Sequence, residues 1–260
     1  MLLTPPLTKK GERMASILQP SEVMLIDEPD LLHVTALTAH VELCASGLSG
    51  GRQLTLSLGQ QQGSLLACHE SALRVTTGEV EVRHLGVVGF AKLLAFIDGV
   101  SQAEPVAASS SEYPGPIVLE LAPHIATDPR ALEYWFIGQL IKGDAAFGAL
   151  TAFLRRLENY WLIKYLVSES ALQKKVSDLG EEYGLSYSHF RRVCKAALGN
   201  SVKSELKAWR AARSLLDVVG GRHSMTEAAI KNGYASSSHF STEIKNLFGL
   251  SPRAILELNH

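Results

Sequence analysis

The sequence predicts an α+β protein: a β-rich amino-terminal domain with a helical pair behind it, then an all-α carboxyl-terminal domain of two helix-turn-helix units joined by a central helix. Three observations predict it. Up to about residue 88 the chain breaks into short segments, several of which alternate apolar with polar residues. From Asp128 onward apolar residues recur with the helical period. Near the carboxyl terminus a block of residues recurs at a spacing of 50, which implies two copies of one supersecondary unit.

A chain of 260 residues, 46% apolar and 20% charged, is long enough for two ordinary domains with real cores. No uncharged apolar run approaches the ~20 residues of a membrane span. The start, with Pro5, Pro6, Lys9, Lys10 and Arg13, lacks the apolar segment of a signal peptide, so a cytoplasmic location is expected. Cys44, Cys68 and Cys194 have no C-x-x-C spacing and read as reduced, buried thiols. The net charge of −1 hides an asymmetry: residues 1–170 hold 12 Lys and Arg against 18 Asp and Glu, residues 171–260 hold 13 against 8. The basic end suits a polyanionic partner.

Residues 22–26, 33–37, 53–58, 64–68 and 73–77 read as strands, with Gly-rich loops at 46–51 and 59–63. Residues 89–99 read as a short helix carrying Leu93, Leu94 and Phe96, followed by an Ala-, Ser- and Pro-rich connection at 101–116. Leu132, Trp135, Phe136, Leu140 and Ile141 form one helical stripe; Phe147, Leu150, Phe153, Leu154, Leu157, Trp161, Leu162 and Tyr165 form a second. The expected domains are 1–125, β-rich and regulatory; 126–170, a helical connector and candidate for self-association; and 171–260, the double helix-turn-helix.

In the repeat, Ser188-His189-Phe190 returns as Ser238-His239-Phe240, Lys195 as Lys245, Gly199 as Gly249, and Gly184 as Gly233 because the second turn holds an extra residue, Ala235. Ser177 can cap a first helix, Gly184 supplies the turn, and Ser186 caps a second helix to about Leu198. In the second copy the elements are 225–231, Gly233-Tyr234 and a helix capped by Ser236 running to about Phe248. Residues 202–218 read as one linking helix with Leu206, Trp209, Ala212, Leu215 and Leu216 inward. Phe190 and Phe240 belong to the core with Leu179 and Ile230.

Over about residues 171–256 this pattern resembles the DNA-binding domain of the AraC family. Ala228-Ala229, Gly233-Tyr234, Ser236, His239-Phe240-Ser241, Lys245, Phe248-Gly249, Ser251-Pro252 and Arg253 stand where that family has its recurrent residues. Cys194, Ala208 and Thr242-Glu243-Ile244 depart from it, and the missing cation at Thr242 should weaken the second unit's hold on DNA. Leu93-Leu-Ala-Phe-Ile-Asp-Gly99, Glu133-Tyr-Trp-Phe136, the Tyr183 to Arg192 stretch and Lys203-Ser-Glu-Leu206 are similar to the InvF-type activators of type III secretion genes.

The resemblance implies base contacts by Ser188, Arg191 and Arg192 from the first recognition helix and by Ser237, Ser238, Ser241 and Thr242 from the second. Arginine's planar fork can pair with guanine O6 and N7, whereas Ser and Thr discriminate less. Lys195, Lys203, Lys245 and Arg253 are phosphate-contact candidates. Double-stranded promoter DNA, RNA polymerase, a type III secretion chaperone as co-activator and a second copy of the chain are the expected partners. No membrane, cofactor or metal is expected: His33, His40, His69, His84 and His124 lack ligand spacing, and no hydrolase or phosphate-loop motif occurs. The alternative is a small-molecule-responsive AraC-type regulator of metabolic genes; an alkyl-transfer enzyme would need a cysteine metal cluster that three scattered cysteines do not supply.

Overall fold

The computed structural model describes residues 15–48, 53–101, 115–170 and 174–257. The predicted glycine loop at 46–51 and the connection at 101–116 fall largely outside these residues. Two compact units divide the chain: residues 1–91 with 106–157, and residues 92–105 with 158–260.

The first unit opens with β1 (Ser16–Leu18), β2 (Val23–Ile26), β3 (Asp30–Ala36), β4 (His40–Gly47), β5 (Gln53–Gly59), β6 (Gly63–Cys68), β7 (Ser71–Thr77) and β8 (Val80–His84). Next come α1 (Val88–Ser101), β9 (Ile117–Glu120), α2 (Pro123–Thr127), α3 (Pro129–Lys142) and α4 (Ala145–Arg155); α1 from Lys92 onward belongs to the second unit. Strand order is β1-β8-β3-β6-β9 in one sheet and β2-β7-β4-β5 in the other, all neighbours antiparallel. The five expected strands form; β1, β4, β8 and β9 are additional, each too short or too polar on one face to stand out.

The alternation explains how the sheets meet. Leu32, Val34, Leu66, Val80 and Val82 from the first sheet and Met24, Val41, Leu43, Leu73 and Val75 from the second share one apolar core. The first sheet is buried on its other face as well, where Leu31, His33, Leu65 and Ala67 are almost fully covered. His33 Nε2 donates to the Leu121 carbonyl at 2.9 Å. Only glycine fits at 63, since a Cβ there would stand 2.6 Å from His33 Nε2 and 2.7 Å from the Leu121 oxygen. Burial holds the His33 pKa below its ordinary value of 6.5, although the Leu121 bond pulls the other way. No group of three His, Cys, Asp or Glu among the described residues is placed to hold a metal ion.

The stripe at 147–165 is divided. Helix α4 ends at Arg155, with Arg156 and Leu157 N–H bonding back three residues to Phe153 and Leu154, and α5 (Glu158–Glu169) begins in the second unit. Phe136 and Phe147 are buried and packed edge to face, 5.1 Å between centroids. Ile141, expected on the inward stripe, is 81% exposed, two residues before the Gly143 cap that ends α3.

The second unit continues with α6 (Val176–Glu182), α7 (Tyr187–Leu198), α8 (Val202–Val219), α9 (Met225–Lys231), α10 (Ser237–Phe248) and α11 (Pro252–Glu257). No described helix is long and apolar enough to cross a membrane. Tyr160 on α5 is fully buried and donates to Asp98 on α1 at 2.7 Å, and Lys92 Nζ meets Glu205 of α8 at 2.6 Å. Helix α8 is the predicted rod, 18 residues or about 27 Å at 1.5 Å each. Its inward face is more polar than expected: Glu205, Ser214 and Asp217 are buried with Val202, Trp209, Ala211 and Val218, while Leu216 is 42% exposed.

Candidate nucleic-acid interface

Each helix-turn-helix is set by a glycine in the left-handed region, Gly184 at φ +79° and Gly233 at φ +73°, a conformation that a side chain would strain. In the first unit the turn closes through Leu185 N–H to the Gly180 carbonyl at 2.9 Å, and in the second through Tyr234 N–H to Ala229 at 2.9 Å. The small residues at 180 and 229 are equivalent. A Cβ on Gly180 would already stand 3.1 Å from that of Phe190. Phe190 and Phe240 are fully buried, as expected, and so is Leu179. Ile230 does not join Phe240; it is 68% exposed, and Ala228 and Ala229 are buried in its place.

Capping differs from the sequence reading in the first unit. Lys175, not Ser177, precedes α6, and Ser177 Oγ instead donates to Asp178 at 2.9 Å. Ser186 occupies the cap of α7 without a side-chain bond. The second unit is capped fully. Ser224 and Glu227 form a reciprocal capping box, and Ser236 Oγ accepts from His239 N–H at 3.1 Å.

Burial sorts the residues of α7 cleanly. Phe190, Cys194, Ala197 and Leu198 face inward, whereas Ser188, Arg191, Arg192 and Lys195 are all exposed. The Arg191 guanidinium lies 5.5 Å from the ring centre of half-exposed Tyr187. Beside the helix, a hollow of about 580 Å³ is walled by Tyr187, Arg191, Lys195 and Lys203. It shares Val176, Tyr187 and Lys203 with a second, of about 490 Å³, that adds Lys174, Lys175 and Lys207. Lys174 is neutralised, since its ammonium contacts Glu169 and Glu182 at 2.7 Å each. Lys175, Tyr187 and Lys207 had no role in the sequence reading; the Lys174-Lys175 doublet ahead of the helix was the available signal.

On α10 the face away from the core carries Ser238, Thr242 and Lys245, exposed, with Ser237 and Ser241 half-buried. Thr242 Oγ1 donates to the Ser238 carbonyl at 2.9 Å, leaving it an acceptor for an outside group. Arg253 on α11 is exposed and pairs with Glu257 at 3.3 Å. The first helix therefore offers cationic donors and the second mainly hydroxyls.

Two helix-turn-helix units on one linking helix, each with a polar exposed recognition face, define a double helix-turn-helix DNA-binding protein. Residues 179–257 match the protein family described as a helix-turn-helix domain. Over 198 residues the chain is 42% identical to the invasion protein InvF of Salmonella typhimurium, a match covering 75% of this chain and 89% of InvF. It is 43% identical over 118 residues to the transcriptional regulator MxiE of Shigella flexneri, covering 45% and 56% of the two chains. Among solved structures, ToxT from Vibrio cholerae O395 aligns over 94% of this chain and 96% of its own, at 11% identity and a TM-score of 0.38. The chain belongs to the AraC family of DNA-binding transcription regulators, together with InvF and MxiE.

Proposed function

We propose that this protein works in the cytoplasm as an activator of type III secretion and effector genes, recruiting RNA polymerase to promoter DNA with a small helical-repeat chaperone as co-activator. The observation that carries this reading is the 42% identity to an invasion protein across 75% of the chain, a stretch longer than the helix-turn-helix match alone. Ser188, Arg191 and Arg192 read one half-site and Ser237, Ser238, Ser241 and Thr242 the other, with Lys195, Lys203, Lys245 and Arg253 on phosphates. Lys175 and Lys207 join the phosphate track through the hollows beside α7.

A partner acts by stabilising the DNA-competent arrangement: at 100 times its dissociation constant it shifts that equilibrium by about 2.7 kcal/mol if it binds that arrangement alone. Transcription reconstituted from a target promoter with purified activator and polymerase, with and without the chaperone and with no metabolite, tests this. Activation should require the chaperone, and full output from the activator alone would overturn the partner's role. Self-association is assigned to the α3 face where Tyr134 is 74% and Ile141 81% exposed. Sedimentation should find a dimer that Ile141→Asp dissolves.

The metabolite-responsive alternative has one observation in its favour. A cleft of about 580 Å³ is lined by Pro29, Leu85, Val87 and Leu132 together with Arg83 and the Asp30–His84 pair, 2.6 Å apart. Promoter output that changes with an added metabolite, and is lost on Leu132→Trp, would favour it.

A further inference from the structure

The inward stripe of α10 consists of Phe240, Glu243 and Ile244, and the middle member is a carboxylate only 5% exposed. A carboxylate so placed is strongly unfavourable unless it is paired. Here both oxygens are engaged. Arg210 Nη2 donates to Oε1 at 2.9 Å and to Oε2 at 3.2 Å, the Tyr234 hydroxyl donates to Oε1 at 2.8 Å, and Lys207 Nζ lies 3.5 Å from Oε2. The Arg210 guanidinium also lies 4.5 Å from the centre of the Tyr234 ring. Burial alone would raise the Glu243 pKa, but the bonds from Arg210 and Tyr234 outweigh it and hold the carboxyl below its usual range.

The partners come from three elements: Arg210 and Lys207 from linking helix α8, Tyr234 from the turn, Glu243 from α10. Apolar contacts such as those of Phe240 tolerate small rotations of a helix about its axis, whereas hydrogen bonds weaken steeply as they bend. Ser238, Thr242 and Lys245 project from the same helix, so a rotation there would displace them all. At the matching positions of the repeat the first unit carries Val193 and Leu185, which can make no such bonds.

We propose that Glu243, clamped by Arg210 and Tyr234, is the positioning residue that fixes the pose of the second recognition helix on α8 and thereby sets base preference at the second half-site. This rests on α10 being a DNA reader. The test uses the full chain and a DNA duplex selected in vitro by the unmodified protein, with hydroxyl-radical footprinting and single-base substitution in each half-site. Glu243→Gln, which removes the charge and keeps the shape, should weaken protection of the second half-site about tenfold and change its base preference, with the first half-site within about twofold. Tyr234→Phe removes one bond only and should do the same more mildly while the urea unfolding transition stays in place; it decides the matter if Glu243→Gln unfolds the unit. A uniform affinity loss with base preference unchanged in both variants would make the clamp merely structural and overturn the inference. If the unmodified protein protected a single half-site, the assignment of α10 as a reader would itself fall.

Discussion

The two helix-turn-helix units share a backbone plan and differ in where their charge goes. In the first, arginines face outward, and a run of ring contacts leads from the exposed Tyr183 to the buried centre: Tyr165 against Tyr183 at 5.2 Å, Tyr183 against Phe190 at 5.8 Å. In the second, hydroxyls face outward, and charge is buried, in the Glu243–Arg210 pair and around Asp217, which meets Lys231 at 3.3 Å and Asn232 at 3.3 Å. A glycine turn and a buried phenylalanine are common to both units. Whether a unit's cations face outward or pair with the protein's own buried carboxylates is a separate choice, made residue by residue.

Truncating the shared phenylalanines tests how much each unit owes to its apolar centre. Phe190→Ala and Phe240→Ala should each cost about 3–5 kcal/mol by urea unfolding; a clearly smaller loss for Phe240 would mean that the charged network holds the second unit by itself. The outward faces separate next. Arg191→Ala or Arg192→Ala should cost ~1–3 kcal/mol of DNA binding and relax base preference at one half-site, with Ser241→Ala doing less. Titrations in which the serine change hurts more would reverse the assignment of the main reader. Caps give a smaller contrast: Ser224→Ala should lower stability by about 1 kcal/mol, whereas Ser186→Ala, which breaks no side-chain bond, should cost a few tenths, read as shifts in urea midpoint.

Acid gives the smallest separation, and it compares the β-rich unit with the second helix-turn-helix. His33 has a folded pKa below its unfolded value, so protonation favours the unfolded chain. Its stabilising effect is complete above pH 6.5 and declines as pH falls from there toward the lowered folded value. Glu227 and Glu243 have folded pKa values below 4.5, Glu227 through the Ser224 N–H and hydroxyl. Their contribution is present above pH 4.5 and is lost as pH drops through the lowered values. Near pH 5.5 the β-rich unit should therefore loosen first, which hydrogen exchange resolved by segment would detect.

Much of this was legible in the sequence because periodicity and glycine turns are local. The two-copy block, both turns, the extents of α7 and α10 and the core phenylalanines follow from spacing alone. The exposure of Ile230 was missed because one residue changes the register. The extra Ala235 means that positions before the second turn pair at 49 rather than 50, so Leu179 corresponds to Ala228 and Ile230 falls on the outside. Buried ions were illegible for another reason: Glu205, Asp217 and Glu243 read as surface residues by their charge although their spacing puts them on inward faces, and the three-dimensional arrival of partners such as Lys92, Lys231 and Arg210 makes their burial tolerable. The exposed recognition faces were predictable, but the hollows that bring Lys175 and Lys207 beside α7 depend on two helices distant in sequence.

The strip of α1 that carries Lys92 and Asp98 belongs to the compact unit that holds the two helix-turn-helix motifs, although residues 106–157 separate it from the rest. On the ribosome that strip emerges more than a hundred residues before Glu205 does. At roughly 5–20 residues per second, the wait is on the order of ten seconds. The DNA-binding unit is thus closed by contacts between distant stretches of chain, and each new copy stays unable to grip a promoter until Glu205 and the helices after it have left the ribosome.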